Sequence, residues 1–413
     1  MHLERRKGIC EGIIWILTVV LFSSFTILGD NTKVSIILLV ITSCIFVLDA
    51  LQENGKLNLC LGAFHYHIVM FALYCIVSSI WALRSSEAIQ KGITIIEILI
   101  CMSVIFIHYS KAESIQPLVS VVMWSGYFVV IYTFAFYGID TVKYMLAQGE
   151  RLENSFANIN TIGMLAAISV ILTCFKICYI KNRFSIDNIL AVPCIIIIAA
   201  SGSRKALIMI VLGVAMILMK RYSSSSLLKN IIICLVSVII LIFILYCMSK
   251  LSMFKGIMER MQGMINLLLG TGKVEHSAWL REQYINIGIE QFKKTPLLGI
   301  GIGSSGELLL QNFGVDTYLH NNFVELLACG GIAGFGVYYS IYFYLIRKLR
   351  KAEKKGLADS YVTLSIILII VLLFMDYGSV SYYSKERYFY FTMLFLEVEF
   401  LNIYETGDVY SQF

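Results

Sequence analysis

Residues 12–28 read GIIWILTVVLFSSFTIL and residues 34–51 read VSIILLVITSCIFVLDAL, with only the break Gly29 to Lys33 between them. A transmembrane helix needs about 20 mostly apolar residues to cross some 30 Å of hydrocarbon, and both runs meet that length. Moving outward from this pair, the same alternation of apolar run and polar break fills the chain. Further runs span Phe64 to Leu83, Gly92 to His108, Leu118 to Tyr137, Ile159 to Ile180, Asn188 to Ala200, Leu207 to Met219, Leu227 to Met248, Asn321 to Ile346, Tyr361 to Asp376 and Tyr388 to Ile403. The expectation is an all-α polytopic membrane bundle of about 12 helices, its seventh and eighth members short. The first run has no small-residue cleavage pattern after it and reads as a retained span, not a cleavable signal.

Composition agrees. Of 413 residues, 58% are hydrophobic and 15% charged, and there are three prolines. A soluble domain cannot hide that much apolar surface. Lys and Arg collect at alternate breaks, at Arg5 to Lys7, Lys181 and Arg183, Lys220 and Arg221, and Arg347 to Lys355. Short cytoplasmic loops hold such residues in excess, so both termini are expected on the cytoplasmic side of the membrane. The net charge of +6 then reflects topology and contact with anionic lipid, and calls for no nucleic acid. The 11 cysteines show no C-x-x-C spacing, which argues against both a zinc site and a disulfide framework.

The chain divides into spans over 1–248, a long extracytoplasmic loop over 249–319, and spans with a cytoplasmic tail over 320–413. A loop that long is where function is expected. It contains WLREQYINIGIEQFKK, residues 279–294, read as an amphipathic helix capped by Ser277 and ended by Thr295 and Pro296. Ile285, Ile289 and Phe292 share one face, with Arg281 a turn earlier. Either a snorkelling arginine or a phosphate clamp fits that pattern. The following LLGIGIGSSG, residues 297–306, lacks the strand and the GK[ST] of a nucleotide loop and reads as a sharply turning loop that approaches a neighbour closely.

Two more places combine a polar side chain with a span edge. SGSRKAL, residues 201–207, sets Arg204 among small residues; it can anchor a helix end, or its planar fork can match phosphate oxygens. HNNFVELLACGGIAGFG, residues 320–336, opens a span with His320, and a helical reading puts His320, Val324, Ala328 and Gly331 on one face. A histidine at a helix N-terminus is favoured as the neutral, proton-accepting form. On the same reading Glu325 lies about 140° from His320, off its face.

LREQYINIGIEQFKKTPLLGIGIGSSG followed by YLHNNFVELLACGGIAGFG resembles the signature of the O-antigen ligase and O-antigen polymerase superfamily of bacterial membrane glycosyltransferases. The matching positions are Arg281, Pro296, Gly299, Gly301, His320, Asn321, Glu325, Gly331 and Gly334. SGSRKAL is similar to that family's Ser/Arg motif, and ENSFANINTIGMLAA to its N-x-N-x-x-(G/A) stretch through Asn158, Asn160 and Gly163. The resemblance implies transfer of a glycan from an undecaprenyl-diphosphate carrier to an acceptor hydroxyl. With no outward-facing D-x-D and no clustered carboxylates to hold a divalent ion, metal independence is expected, and no cofactor. By that resemblance Arg204 and Arg281 hold the diphosphate and His320 activates the acceptor, with Asn321, Asn322, Glu325, Asn158 and Asn160 as helpers in substrate binding. A polysaccharide polymerase for capsule, exopolysaccharide or O-antigen is the leading expectation. Its partners would be the lipid bilayer, a chain-length regulator and a flippase. A ligase that moves finished polymer to another acceptor, and a transporter of lipid-linked sugars, are the alternatives.

Overall fold

The structure is a computed structural model that describes residues 2–29, 32–52, 62–153, 155–180, 185–223, 226, 229–232, 246, 250–251, 254–272, 275–357 and 359–406. Among the described residues every regular element is a helix: α1 (His2–Leu28), α2 (Thr32–Gln52), α3 (Ala63–Ser78), α4 (Ser85–Tyr109), α5 (Gln116–Tyr137), α6 (Ile139–Gln148), α7 (Ile159–Phe175, continued as a π turn over Lys176–Ile180), α8 (Ile186–Ser201), α9 (Arg204–Arg221), α10 (Lys255–Leu269), α11 (His276–Lys294), α12 (Ser305–Phe313), α13 (Asn322–Lys354), α14 (Ser360–Asp376) and α15 (Lys385–Thr406).

Among the described residues, six stretches are long and apolar enough to cross a membrane: Gly8–Leu28, Val34–Leu51, Ser85–Tyr109, Gln116–Tyr137, Ile159–Ile180 and Asn322–Lys354. Shorter apolar helices occupy Ala63–Ser78, Ile186–Ser201 and Ser360–Asp376. The expected ninth span, Leu227 to Met248, lies outside the described residues except at 229–232 and 246. The expected third span stops early, at Ser78, because its end is tied to the glycine-rich loop. The Leu83 N–H donates to Ile300 O at 3.0 Å, and the Ile302 N–H to Ser78 Oγ at 3.1 Å.

The chain folds as two compact units, one of Met1–Ile41, Gln116–Val274 and Asp359–Val371, the other of Thr42–Ile115, Glu275–Ala358 and Leu372–Phe413. In the first unit α7 is the central helix, packed on α5, α8 and α9, with α1 against α5. Its start meets the turn between α8 and α9, since a Cβ on Gly163 would stand 2.5 Å from Ser201 Oγ.

In the second unit α3 packs on α4 and on α13, α11 packs on α13, and α15 packs on α4. The long helix α13 is broken at Gly331, where φ is 60° and ψ −165°. The freed backbone groups are satisfied by the loop after α11. Ile332 N–H donates to Pro296 O at 2.8 Å, Ala333 N–H to Leu297 O at 3.1 Å, and Ala328 O accepts from Ile300 N–H at 3.1 Å. An inserted segment that completes the ladder is one of the few ways a helix kinks sharply at membrane depth without orphaned polar groups. The turning loop expected at residues 297–306 is therefore also a splice into α13, and Gly331 belongs to a break and not to a helical face.

Candidate functional site

In the second unit the first residue to place is His320. Helix α13 starts at Asn322, with Asn321 as N-cap; the Asn321 side chain accepts the Val324 N–H at 3.1 Å. His320 thus precedes the cap, and its φ of 57° makes it the one non-glycine residue with positive φ among the described residues. That conformation costs an L-residue about 1–2 kcal/mol and persists only where the surroundings impose it.

The surroundings are specific. Glu325, 2% exposed, reaches back past the cap so that Oε2 accepts the Leu319 N–H at 3.0 Å, while Oε1 accepts from Ser305 Oγ at 2.5 Å. His320 is outside the helix, so the helical-wheel angle does not relate it to Glu325, which is tied to the neighbouring Leu319 N–H. On the other side Asn322 accepts N–H groups from Ser381 at 2.9 Å and Tyr382 at 3.1 Å and donates to Tyr339 Oη at 3.0 Å. The His320 ring lies 4.3 Å from the Tyr318 ring and is stacked 6.2 Å from Tyr284, centroid to centroid.

Tyr284 belongs to α11, and Arg281 lies three residues before it, on the same side of that helix. The buried residues of α11 are Ala278, Tyr284 and Gly288; of the apolar stripe, Ile285 packs partly against the cluster around Tyr284 and Ile289 is 38% exposed. A Cβ on Gly288 would stand 2.5 Å from Val324 Cγ1, so α11 comes close to α13 there, with Tyr284 in the same buried cluster as Val324 and Ala328. Ser277 does not cap the helix. Glu275 holds that position, and Ser277 Oγ donates to its Oε1 at 2.8 Å.

Two features of this unit escaped the sequence. Arg84, on the turn between α3 and α4, donates to both oxygens of Asp316 at 3.0 and 2.8 Å and to Glu307 at 3.1 Å, clasping the chain before His320. Those bonds, Asp316 first, raise the Arg84 pKa further, and Gln311 followed by Arg84 hold the Glu307 carboxyl below its ordinary range. The second is the buried pair Arg387 and Asp376, 2.7 Å apart. Arg387 also donates to Tyr342 Oη at 2.7 Å and Leu372 O at 3.1 Å, and Asp376 accepts from Ser381, Tyr339 and Tyr342. Through Tyr339 and Ser381 this network ends on Asn322. A charged residue beside an apolar run, at Asp376, was the available signal.

Arg204, the other expected phosphate ligand, belongs to the first unit. It is 9% exposed, follows the N-cap Ser203 of α9, and donates from Nη1 to Arg260 O at 2.9 Å. Arg260 returns the bond, donating from Nη1 to Gly202 O at 2.9 Å. Asn158 caps α7, its side chain accepting the Asn160 N–H at 3.0 Å; that leaves Asn158 at an exposed helix start and Asn160 in its first turn. Arg260 was not singled out, because its amphipathic helix gives no sequence sign of which neighbour it covers. Among the described residues no group of three or more His, Cys, Asp or Glu side chains is placed to hold a metal ion.

Residues 189–339, which contain the Arg204 turn, α11, the spliced loop and His320, match a family model described as O-antigen ligase. No curated protein matches the chain.

Proposed function

We propose that this protein is a polysaccharide polymerase, a reading supported by the match of residues 189–339 to a family model described as O-antigen ligase. It joins undecaprenyl-diphosphate-linked oligosaccharide units on the outer face of the bacterial cytoplasmic membrane. His320 takes the proton from an acceptor hydroxyl as that oxygen bonds to the anomeric carbon of the donor sugar. The anomeric carbon–oxygen bond to the diphosphate breaks, and its electron pair leaves with undecaprenyl diphosphate. Arg281 and Arg204 each neutralise charge that grows on that leaving group, a task guanidiniums perform without a metal. A positioned general base and a preplaced cation each contribute factors of about 100 or more in rate.

The single observation that carries this reading is the effort spent on His320. A strained backbone, a buried carboxylate on the Leu319 N–H, a cap and an amide network hold the chain on both sides of His320, whose ring stacks on Tyr284 of the Arg281 helix. Asn321, Asn322 and Glu325 then act by positioning that ring, while Asn158 and Asn160 order the start of α7 beside the Arg204 turn.

The test is purified protein with a carrier-linked oligosaccharide, no nucleotide sugar, and chelator present. Longer chains on the carrier lipid mean polymerase, and transfer to a different acceptor alone means ligase. Elongation lost in Arg204→Ala, Arg281→Ala and His320→Ala at unchanged protein levels supports the assignment; full activity in all three overturns it.

A further inference from the structure

The first unit holds a cavity of about 380 Å3 beside the turn that carries Arg204. Its walls come from the end of α6 and the loop after it, Met145 to Glu153, from Ala199 and Gly202 of the turn between α8 and α9, and from the first residues of α10, Gly256 to Arg260. These pieces are bonded to one another. Leu152 N–H donates to Ala200 O at 2.9 Å, Arg260 Nη1 to Gly202 O at 2.9 Å, and the Tyr137 hydroxyl to Glu153 O. At the foot, Gly149 O lies so near Gly256 that a Cβ there would collide with it.

The charged lining has both signs: Glu150, Glu153 and Glu259 with Arg151 and Arg260. Three carboxylates repel a bare anion, and two guanidiniums repel a bare cation. Carboxylates only accept hydrogen bonds and guanidiniums only donate, so the two together suit a neutral ligand whose every polar group does both. Sugar hydroxyls have that property, and the volume lies in the range that encloses a small molecule. Outside the lining, the rings of Tyr137, Phe136 and Phe156 pack together, centroids 4.7 to 5.9 Å apart, and the Tyr137 hydroxyl holds the Glu153 backbone in place.

We propose that this cavity is a glycan subsite, one that grips a neutral, hydroxyl-rich sugar of the carrier-linked chain and is separate from whatever binds the diphosphate. The proposal rests on the transferase reading above for the identity of its ligand. Because Arg260 bonds both the turn and Arg204, a sugar seated here stiffens the turn that presents Arg204.

The experiment uses the full chain in nanodiscs and, as probe, the oligosaccharide released by mild acid from the source cell's carrier lipid, free of lipid and phosphate. Binding is read by saturation-transfer NMR, with inorganic pyrophosphate as competitor. Expected are saturable binding to the wild type, at least tenfold weaker binding to Glu150→Gln/Glu259→Gln, and no displacement by pyrophosphate. In turnover assays the same double variant raises KM for the lipid-linked substrate about tenfold with kcat within about twofold. Equal glycan binding by wild type and variant, displacement by pyrophosphate, or a fall in kcat matched by a fall in melting temperature overturns the subsite. His320→Ala separates the two readings: it binds the released glycan normally if the subsite is right, and whether it still elongates judges only the transferase assignment.

Discussion

Replacing Glu325 by glutamine tests whether the buried carboxylate serves the histidine ahead of it. Glu325 accepts one hydrogen bond from the Leu319 N–H and one from Ser305 Oγ, and Leu319 and Ser305 are themselves 0% and 4% exposed. Glutamine keeps one acceptor oxygen for the Leu319 N–H and turns the other into a donor, so the Ser305 hydroxyl must rotate from donating to accepting. Exchanging a carboxylate's bonds for those of a neutral amide costs about 1 kcal/mol, and the variant should melt slightly lower yet stay folded. The effect on turnover is separate. His320 holds a φ of 57° at a cost of about 1–2 kcal/mol, which the anchored Leu319 sustains. Once the anchor loosens, that energy favours relaxation, and about 1.4 kcal/mol of bias empties the competent geometry tenfold. We expect kcat to fall roughly 10- to 30-fold with KM within about twofold, since the docked population falls and not the affinity for donor. The assay is carrier-linked elongation under saturating substrate beside thermal unfolding in the same detergent. A variant that melts lower as expected but turns over at the wild-type rate would refute the anchoring argument. His320→Gly is the companion control: it accepts positive φ freely, so it should be no less stable than the wild type while losing transfer altogether.

Three further outcomes follow from the packing. Gly288→Leu places a side chain where Val324 Cγ1 stands 2.5 Å from the would-be Cβ and should cost about 1–3 kcal/mol or more by overpacking α11 against α13, seen as a lower melting temperature. Asp376→Asn alone should destabilise by about 3–5 kcal/mol because it strands the Arg387 charge at 2% side-chain exposure, while replacing Asp376, Arg387 and Tyr339 together by apolar residues should cost much less, a non-additivity that a mutant cycle measures. Glu307, whose carboxyl is held low in the folded state, contributes stability that is present above its ordinary value of 4.5 and is lost as pH falls through the folded value. Melting temperature should therefore drop on acidification through that window, and Glu307→Gln should lack this part of the slope.

What the sequence conveys well is anything written locally. Runs such as residues 12–28 and 159–180 become long apolar helices in the structure, since a span's signal is its own composition. The polar outliers Arg204, Arg281 and His320 stand out for the same reason, as side chains whose type disagrees with their neighbourhood. Illegible are the features completed by partners far along the chain. The end of α3 is set by Ile300, more than two hundred positions away. The buried side of α11 is set by how near α13 comes at Gly288, which no local pattern reveals. Glu325 was placed by a helical wheel that assumes His320 is already in the helix; one residue at positive φ removes that premise. Arg84 and Arg387 look like ordinary loop cations until folding brings Asp316 and Asp376 to them.

The splice between the Pro296 loop and the break at Gly331 sets the boundaries for exchanging parts between related chains. A cassette cut at the ends of the long loop, residues 249–319, would carry Pro296, Leu297 and Ile300 into a host whose α13 has its own gap, phased for different donors and acceptors. The two ladders would then fail to mesh, leaving bare amides on both sides of the cut. Chimeras should carry the loop with the whole of α13 up to at least Ala333, and natural insertions or deletions between Thr295 and Ile300 should be tolerated only when the helix breakpoint moves in step.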